Sequence, residues 1–106
     1  MCLLVNDGTK SGKEILAYYF RKAHCGPIVG SPTAGAVMAG SPFVMADGSL
    51  LYLAVSDGLL DGKRPEGHPV VPDVEVPFKL EYAGGGDPQK IAAVDSIAKA
   101  VRQNRR

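Results

Sequence analysis

Val5-Asn6-Asp7-Gly8-Thr9-Lys10-Ser11-Gly12-Lys13-Glu14 is the stretch from which the rest of the chain is read. A short apolar run, Cys2-Leu3-Leu4-Val5, enters a glycine turn and a helical pattern starts at once, which sets Ser11 at a helix N-terminus. Unpaired backbone N–H groups and the positive end of the helix dipole meet there, and both stabilise charge developing on a bound carbonyl oxygen. Ser11 is therefore a candidate nucleophile. The same residues also read as a capping box, with Ser11 capping the helix and Glu14 reaching back to the Ser11 N–H. A phosphate loop fits poorly. Only three residues separate Gly8 from Gly12 where that motif needs four, and Glu14 stands where a magnesium-binding hydroxyl belongs.

Outward from this stretch, a helix is expected over 11–24, stopped by Gly26-Pro27, and Pro27-Ile28-Val29-Gly30 reads as a strand. Strand, helix, strand in that order predicts a parallel pair with a right-handed crossover. Small residues make a loop over 31–35, and an extended stretch over 36–45 meets the turn Ala46-Asp47-Gly48. The returning strand over 49–55 is apolar on both faces, which predicts a central position covered twice. Asp57-Gly58 and Asp61-Gly62 mark turns, Pro65 to Pro72 is extended, and Val74-Glu75-Val76 is a short strand. A flexible link from Ala83, glycine-rich over 84–88, leads into a last helix over 88–104. Its stripe Ile91, Val94, Ile97, Ala98 and Val101 is expected to dock on the rest. Arg102-Gln103-Asn104-Arg105-Arg106 is expected to be a frayed, solvated helix end.

With 106 residues, 45% of them hydrophobic, the chain holds at most one small domain or part of one. A net charge of +1 leaves no electrostatic footprint for nucleic acid or an anionic membrane. No run reaches the length of a membrane span and no signal-peptide layout opens the chain, so a soluble chain is expected. Cys2 and Cys25 form neither a disulfide framework nor a Cys-x-x-Cys pair. Cys25 and its neighbour His24 point about 100° apart on a helix, which suits helix-end punctuation better than proton transfer. No cluster has metal-ligand spacing, so no cofactor is expected.

In this order the parts resemble the C-terminal portion of the tail-specific, or C-terminal-processing, serine proteases, in particular their tricorn-core-like branch. The matching blocks are Leu4 to Glu14, Val29-Gly30-Ser31-Pro32-Thr33-Ala34-Gly35-Ala36, Asp47-Gly48-Ser49-Leu50 and Glu66-Gly67-His68-Pro69-Val70-Val71-Pro72-Asp73-Val74-Glu75-Val76. The resemblance implies an α/β partial domain of the crotonase/ClpP-like β-β-α spiral type, with residues 1–106 forming the C-terminal part of a serine peptidase catalytic domain. It assigns the attacking oxygen to Ser11, half of the oxyanion hole to the Gly12 N–H, and the glutamate of a Ser/His/Ser/Glu tetrad to Glu66.

Ala36 occupies the place of the lysine base used by another branch, so a Ser-Lys dyad is excluded. The tetrad histidine and its companion serine belong to a segment upstream of these residues, and the isolated chain is expected to be inactive. His68 reads as a loop histidine, and Pro69 replaces a glycine usual in its block. The implied partners are a peptide or protein substrate, and a second copy or the N-terminal part of the same enzyme; the compartment is not fixed by the sequence, and the resemblance is compatible with an extracytoplasmic or periplasmic location. A rival reading is a self-associating assembly module that keeps the fold without the chemistry.

Overall fold

The computed structural model describes residues 1–79 and 84–103. In chain order the elements are β1 (Leu3–Val5), α1 (Gly12–Lys22), β2 (Ile28–Gly30), β3 (Ala39–Val44), β4 (Leu50–Ser56), β5 (Val74–Glu75) and α2 (Pro88–Gln103). β1, β2 and β5 form a parallel sheet in the order β1-β2-β5, while β3 and β4 form a separate antiparallel pair. The expected strand–helix–strand unit is present.

Side-chain alternation explains how so short a sheet carries two layers. Val5 and Ile28 meet Ala17 and Phe20 of α1 in one apolar cluster, joined by Leu3 and Val70. Val29 is out of phase with Ile28, is fully buried and lies outside that cluster, and α2 contacts both β1 and β2. Gly30 is required at the end of β2, because a Cβ there would stand 1.9 Å from the Val5 carbonyl oxygen. Asp73 fastens β5. Its backbone N–H donates to Ile28 O, its carboxylate accepts the Ile28 N–H at 2.8 Å, and Arg21 pairs with it at 3.2 Å.

α1 ends two residues earlier than the 11–24 expectation. His24, at φ 52°, takes the left-handed position that closes the helix, with His24 N–H donating to Arg21 O and Cys25 N–H to Phe20 O. Punctuation is thus the role of the His24-Cys25 pair.

Two expectations are corrected. The strand expected over 49–55 to be central is β4, one half of a two-stranded arm, and every residue in it is exposed, Leu50 at 70% and Tyr52 at 69%. Its two apolar faces call for cover that the described residues do not supply. The turn into it is as expected, with Gly48 at positive φ and Asp47 Oδ1 accepting from Ser49 N and Oγ.

α2 also docks by a different face. Ala93 is 6% exposed and Gln89 is buried, donating to Val76 O at 2.8 Å, whereas Val94 is 57% exposed and Ile91, Ile97 and Val101 are likewise outside. Small side chains let the helix approach the sheet closely, and the larger apolar stripe is turned away. Asp87 caps the helix start through the Lys90 N–H. Of the expected link, 84–87 is described and Ala83 lies outside the described residues, as does the tail 104–106.

The arm makes the molecule long. Its extents are 65 × 39 × 18 Å and its radius of gyration is 17.5 Å, against about 13 Å for a compact domain of this length. It exposes 7588 Å² where a compact monomer of this mass exposes about 5,700 Å².

Candidate active site

The turn from β1 to α1 is built by local side-chain bonds. Asn6 Oδ1 accepts the Gly8 N–H at 3.0 Å and Thr9 Oγ1 accepts the Asn6 N–H at 3.1 Å, which leaves the chain heading sharply into the helix. Ser11 sits at the helix boundary with φ 59° and ψ −133°, a sparsely populated conformation for a residue that carries a Cβ. Its carbonyl starts the helix by accepting from Glu14 N at 2.9 Å. Its hydroxyl makes no capping bond, the residue is exposed, and the Gly12 N–H has no acceptor among the described residues. An uncommitted hydroxyl and an open N–H thus share one exposed turn at a helix N-terminus.

The capping box is therefore a correction. Glu14 does not reach back to Ser11, whose N–H donates instead to Ala36 O at 2.7 Å. Glu14 points inward from the first helical turn, 3% exposed, and accepts from Thr33 Oγ1 and from Gly35 N at 2.7 Å on one oxygen and from Ala36 N at 2.8 Å on the other. Thr33 Oγ1 in turn accepts the Val70 N–H at 2.8 Å. The loop over 33–36 is held by this carboxylate on one side and by Ala34 N–H to Thr9 O on the other.

Glu66 braces the next residues of the same loop. Its Oε2 accepts from Val37 N at 2.6 Å and Met38 N at 3.0 Å, while Gly67 N–H donates to Gly35 O at 2.8 Å. The Val37 N–H, and after it the Met38 N–H, hold the Glu66 carboxyl below its ordinary value. Gly35 lets Pro69 pack closely against this loop: a Cβ on Gly35 would stand only 3.1 Å from the proline Cδ, and Gly35 has φ 70°.

Ser11, the loop over 33–38 and Glu66 therefore meet at one junction of three sequence-distant segments. Glu66 touches the loop that carries Ala36, and no bond links it directly to Ser11 or Gly12. His68 bonds the Glu66 carbonyl through Nδ1 at 2.9 Å, as a loop histidine would, and not Ser11. Beside the junction lies a cleft of about 410 Å³ lined by Glu14, Tyr18, Val37, Leu60, His68 and Val70 among others, with neither Ser11 nor Gly12 in its wall. Tyr18 of the cleft wall donates through Oη to Asp61 at 2.7 Å, Lys22 Nζ donates to the same carboxylate at 2.6 Å, and Lys22 foremost, then Tyr18, pulls the Asp61 carboxyl down.

Glu14 and Thr33 are the residues that the sequence reading missed as parts of the site. The signal was present: Glu14 lies three residues before Ala17 and six before Phe20, on the helix face that is buried. Among the described residues no group of His, Cys, Asp and Glu is placed to hold a metal ion.

No curated protein matches the chain. The crystal structure of the tricorn protease is similar to it, with 28% identity and a TM-score of 0.85 over 95% of this chain. These residues span 10% of the tricorn chain. The model of peptidase family S41 matches residues 1–76, the part that contains both Ser11 and Glu66, and the chain belongs to peptidase family S41.

Proposed function

We propose that these residues are the nucleophile-bearing part of a serine endopeptidase of the C-terminal-processing type, within a crotonase/ClpP-like spiral domain. Ser11 Oγ attacks the peptide carbonyl carbon while a general base from outside these residues takes its proton. The Gly12 N–H receives charge on the carbonyl oxygen, the C–N bond breaks, and the amine leaves with a proton. Water then hydrolyses the Ser11 ester. Glu66 acts as a supporting carboxylate, hydrogen-bonded to the loop whose Ala36 carbonyl accepts the Ser11 N–H. One observation carries the reading: Ser11 is held at positive φ with its hydroxyl free beside an open N–H at a helix start. Strain of this kind is a known mark of nucleophile turns.

The test is peptide cleavage by the longer polypeptide that contains these residues and their upstream segment, beside its Ser11→Ala variant. Activity in the parent and none in the variant is expected, with negligible cleavage by residues 1–106 alone. Full activity in Ser11→Ala would refute the assignment.

A second reading, a self-associating assembly module without chemistry, is favoured by the uncovered arm of β3 and β4 and the outward stripe of α2. A serine-directed fluorophosphonate separates the two. Labelling of Ser11 in the longer polypeptide supports the peptidase, and its absence supports the module.

A further inference from the structure

We infer that Glu14 is a positioning residue for Ser11, acting through the Ala36 carbonyl; the inference rests on Ser11 being the nucleophile. The two residues stand on the same first helical turn, yet Glu14 reaches Ser11 by a detour through another segment. Its carboxylate accepts the Gly35 and Ala36 N–H groups, and the Ala36 carbonyl then accepts the Ser11 N–H. Helix turn, carboxylate and loop form a closed ring. Because the ring is short and buried at Glu14, displacement of the loop moves the acceptor of the Ser11 N–H and releases the positive φ on which the hydroxyl's direction depends.

Chemistry explains why only a carboxylate serves. Thr33 Oγ1 accepts the Val70 N–H, so its own hydrogen points to Glu14, and all three groups that meet Glu14 are donors. A glutamine of the same length has one acceptor oxygen and one NH₂. Whichever way it turns, its NH₂ faces a backbone N–H or the Thr33 hydroxyl hydrogen, and a buried donor is left unmatched. Bracing the fold alone would not require the ring to include the Ser11 N–H. The measurable difference is that Glu14 should tune the rate of bond breaking more than the overall stability.

The experiment uses the longer polypeptide and its Glu14→Gln variant, with amide hydrogen exchange and peptide kinetics read together. In the parent, the Ser11, Gly35 and Ala36 amides should exchange through one common opening. In Glu14→Gln, Ser11 and Ala36 protection should fall at least about 10-fold, while kcat drops on the order of 100-fold and KM changes by less than about 3-fold. Protection at Ser11 and kcat both unchanged in the variant would overturn the inference. So would independent exchange of Ser11 and Ala36 in the parent, a result that needs no variant to fold. If the parent cleaves no peptide, the peptidase reading fails by itself, and Ser11 exchange still decides whether Glu14 holds the turn.

Discussion

The N–H of Ser11 donates to the carbonyl of Ala36 across 2.7 Å, joining a residue at a helix start to a loop twenty-five positions further along the chain. A helix-capping serine is normally fixed through its side chain. Here the main chain is fixed and the side chain is left uncommitted, so stability and chemistry are separable at this position.

That separation gives a first expectation. Ser11→Gly should raise the urea midpoint, by about 1 kcal/mol of stability, because glycine adopts φ 59° without strain. Ser11→Ala keeps the Cβ and should leave the midpoint nearly unchanged. Both should abolish labelling by a fluorophosphonate in the longer polypeptide. A midpoint lowered in Ser11→Gly would show that the positive φ carries no strain.

Glu66 gives a second. Its carboxylate can be mimicked by an amide, since Oε2 alone accepts from Val37 and Met38 and a glutamine oxygen can take both bonds. Glu66→Gln should therefore reduce turnover less than Ser11→Ala, whereas Glu66→Ala frees both N–H groups and should raise their exchange rates. Relative turnover of the three variants, with exchange at Val37 and Met38, checks this ranking.

The lowered pKa of Glu66 has a definite sign. A carboxyl whose folded-state value lies below its ordinary 4.5 contributes stability that is fully present above 4.5 and is lost as pH falls through the folded-state value. Exchange-based protection of Val37 and Met38 should hold from neutral pH down past 4.5 and decline only below it. Asp61, also held low, should behave in the same way at the Tyr18 and Lys22 clasp. Loss of protection at Val37 between pH 7 and 5 would contradict the Glu66 assignment.

α2 provides a test of which face is docked. Ala93→Leu should destabilise by roughly 1–3 kcal/mol through overpacking against the sheet. Val94→Ala, on the outward stripe, should change the urea midpoint of residues 1–106 by no more than about 0.5 kcal/mol. Reversal of that order would restore the docking expected from the apolar stripe.

The arm should associate. Leu50, Leu51, Tyr52, Leu53 and Val55 are all exposed on β4, and between 36 and 56 only Asp47 carries a charge. Light scattering of residues 1–106 should show assembly that Leu51→Lys weakens. A stable monomer at high concentration would mean that the arm is self-sufficient.

Local chemistry made much of this legible from the sequence. The Gly8 turn, the helix after Ser11, the parallel crossover to β2 and the Ala46-Asp47-Gly48 turn all follow from residues close in sequence, where propensity and capping act directly. What failed depended on partners. Periodicity identified the apolar faces of β4 and α2 but carried no information on what meets them, and in both cases the described residues leave them open. Glu14 failed differently: Ser-x-x-Glu has a local solution, the capping box, and three donors from the loop over 33–36, the Thr33 hydroxyl among them, offer the carboxylate more than one backbone N–H can. Glu66 is singled out only by its block, while its contacts with Val37 and Met38 are tertiary and invisible to spacing.

The ring through Glu14 also sets where the length of this chain can change. One residue inserted between Ser11 and Glu14 would turn the carboxylate by about 100° around the helix, away from the Gly35 and Ala36 amides. An insertion over 33–36 would shift those amides off it. The tip of the arm at Ala46-Asp47-Gly48 bears no such geometry, and the loop over 57–60 is exposed save for a half-buried Leu60. Length variants made by insertion should therefore survive at the arm tip and be lost at the two short segments that close on Glu14, a pattern readable from a library of single-residue insertions.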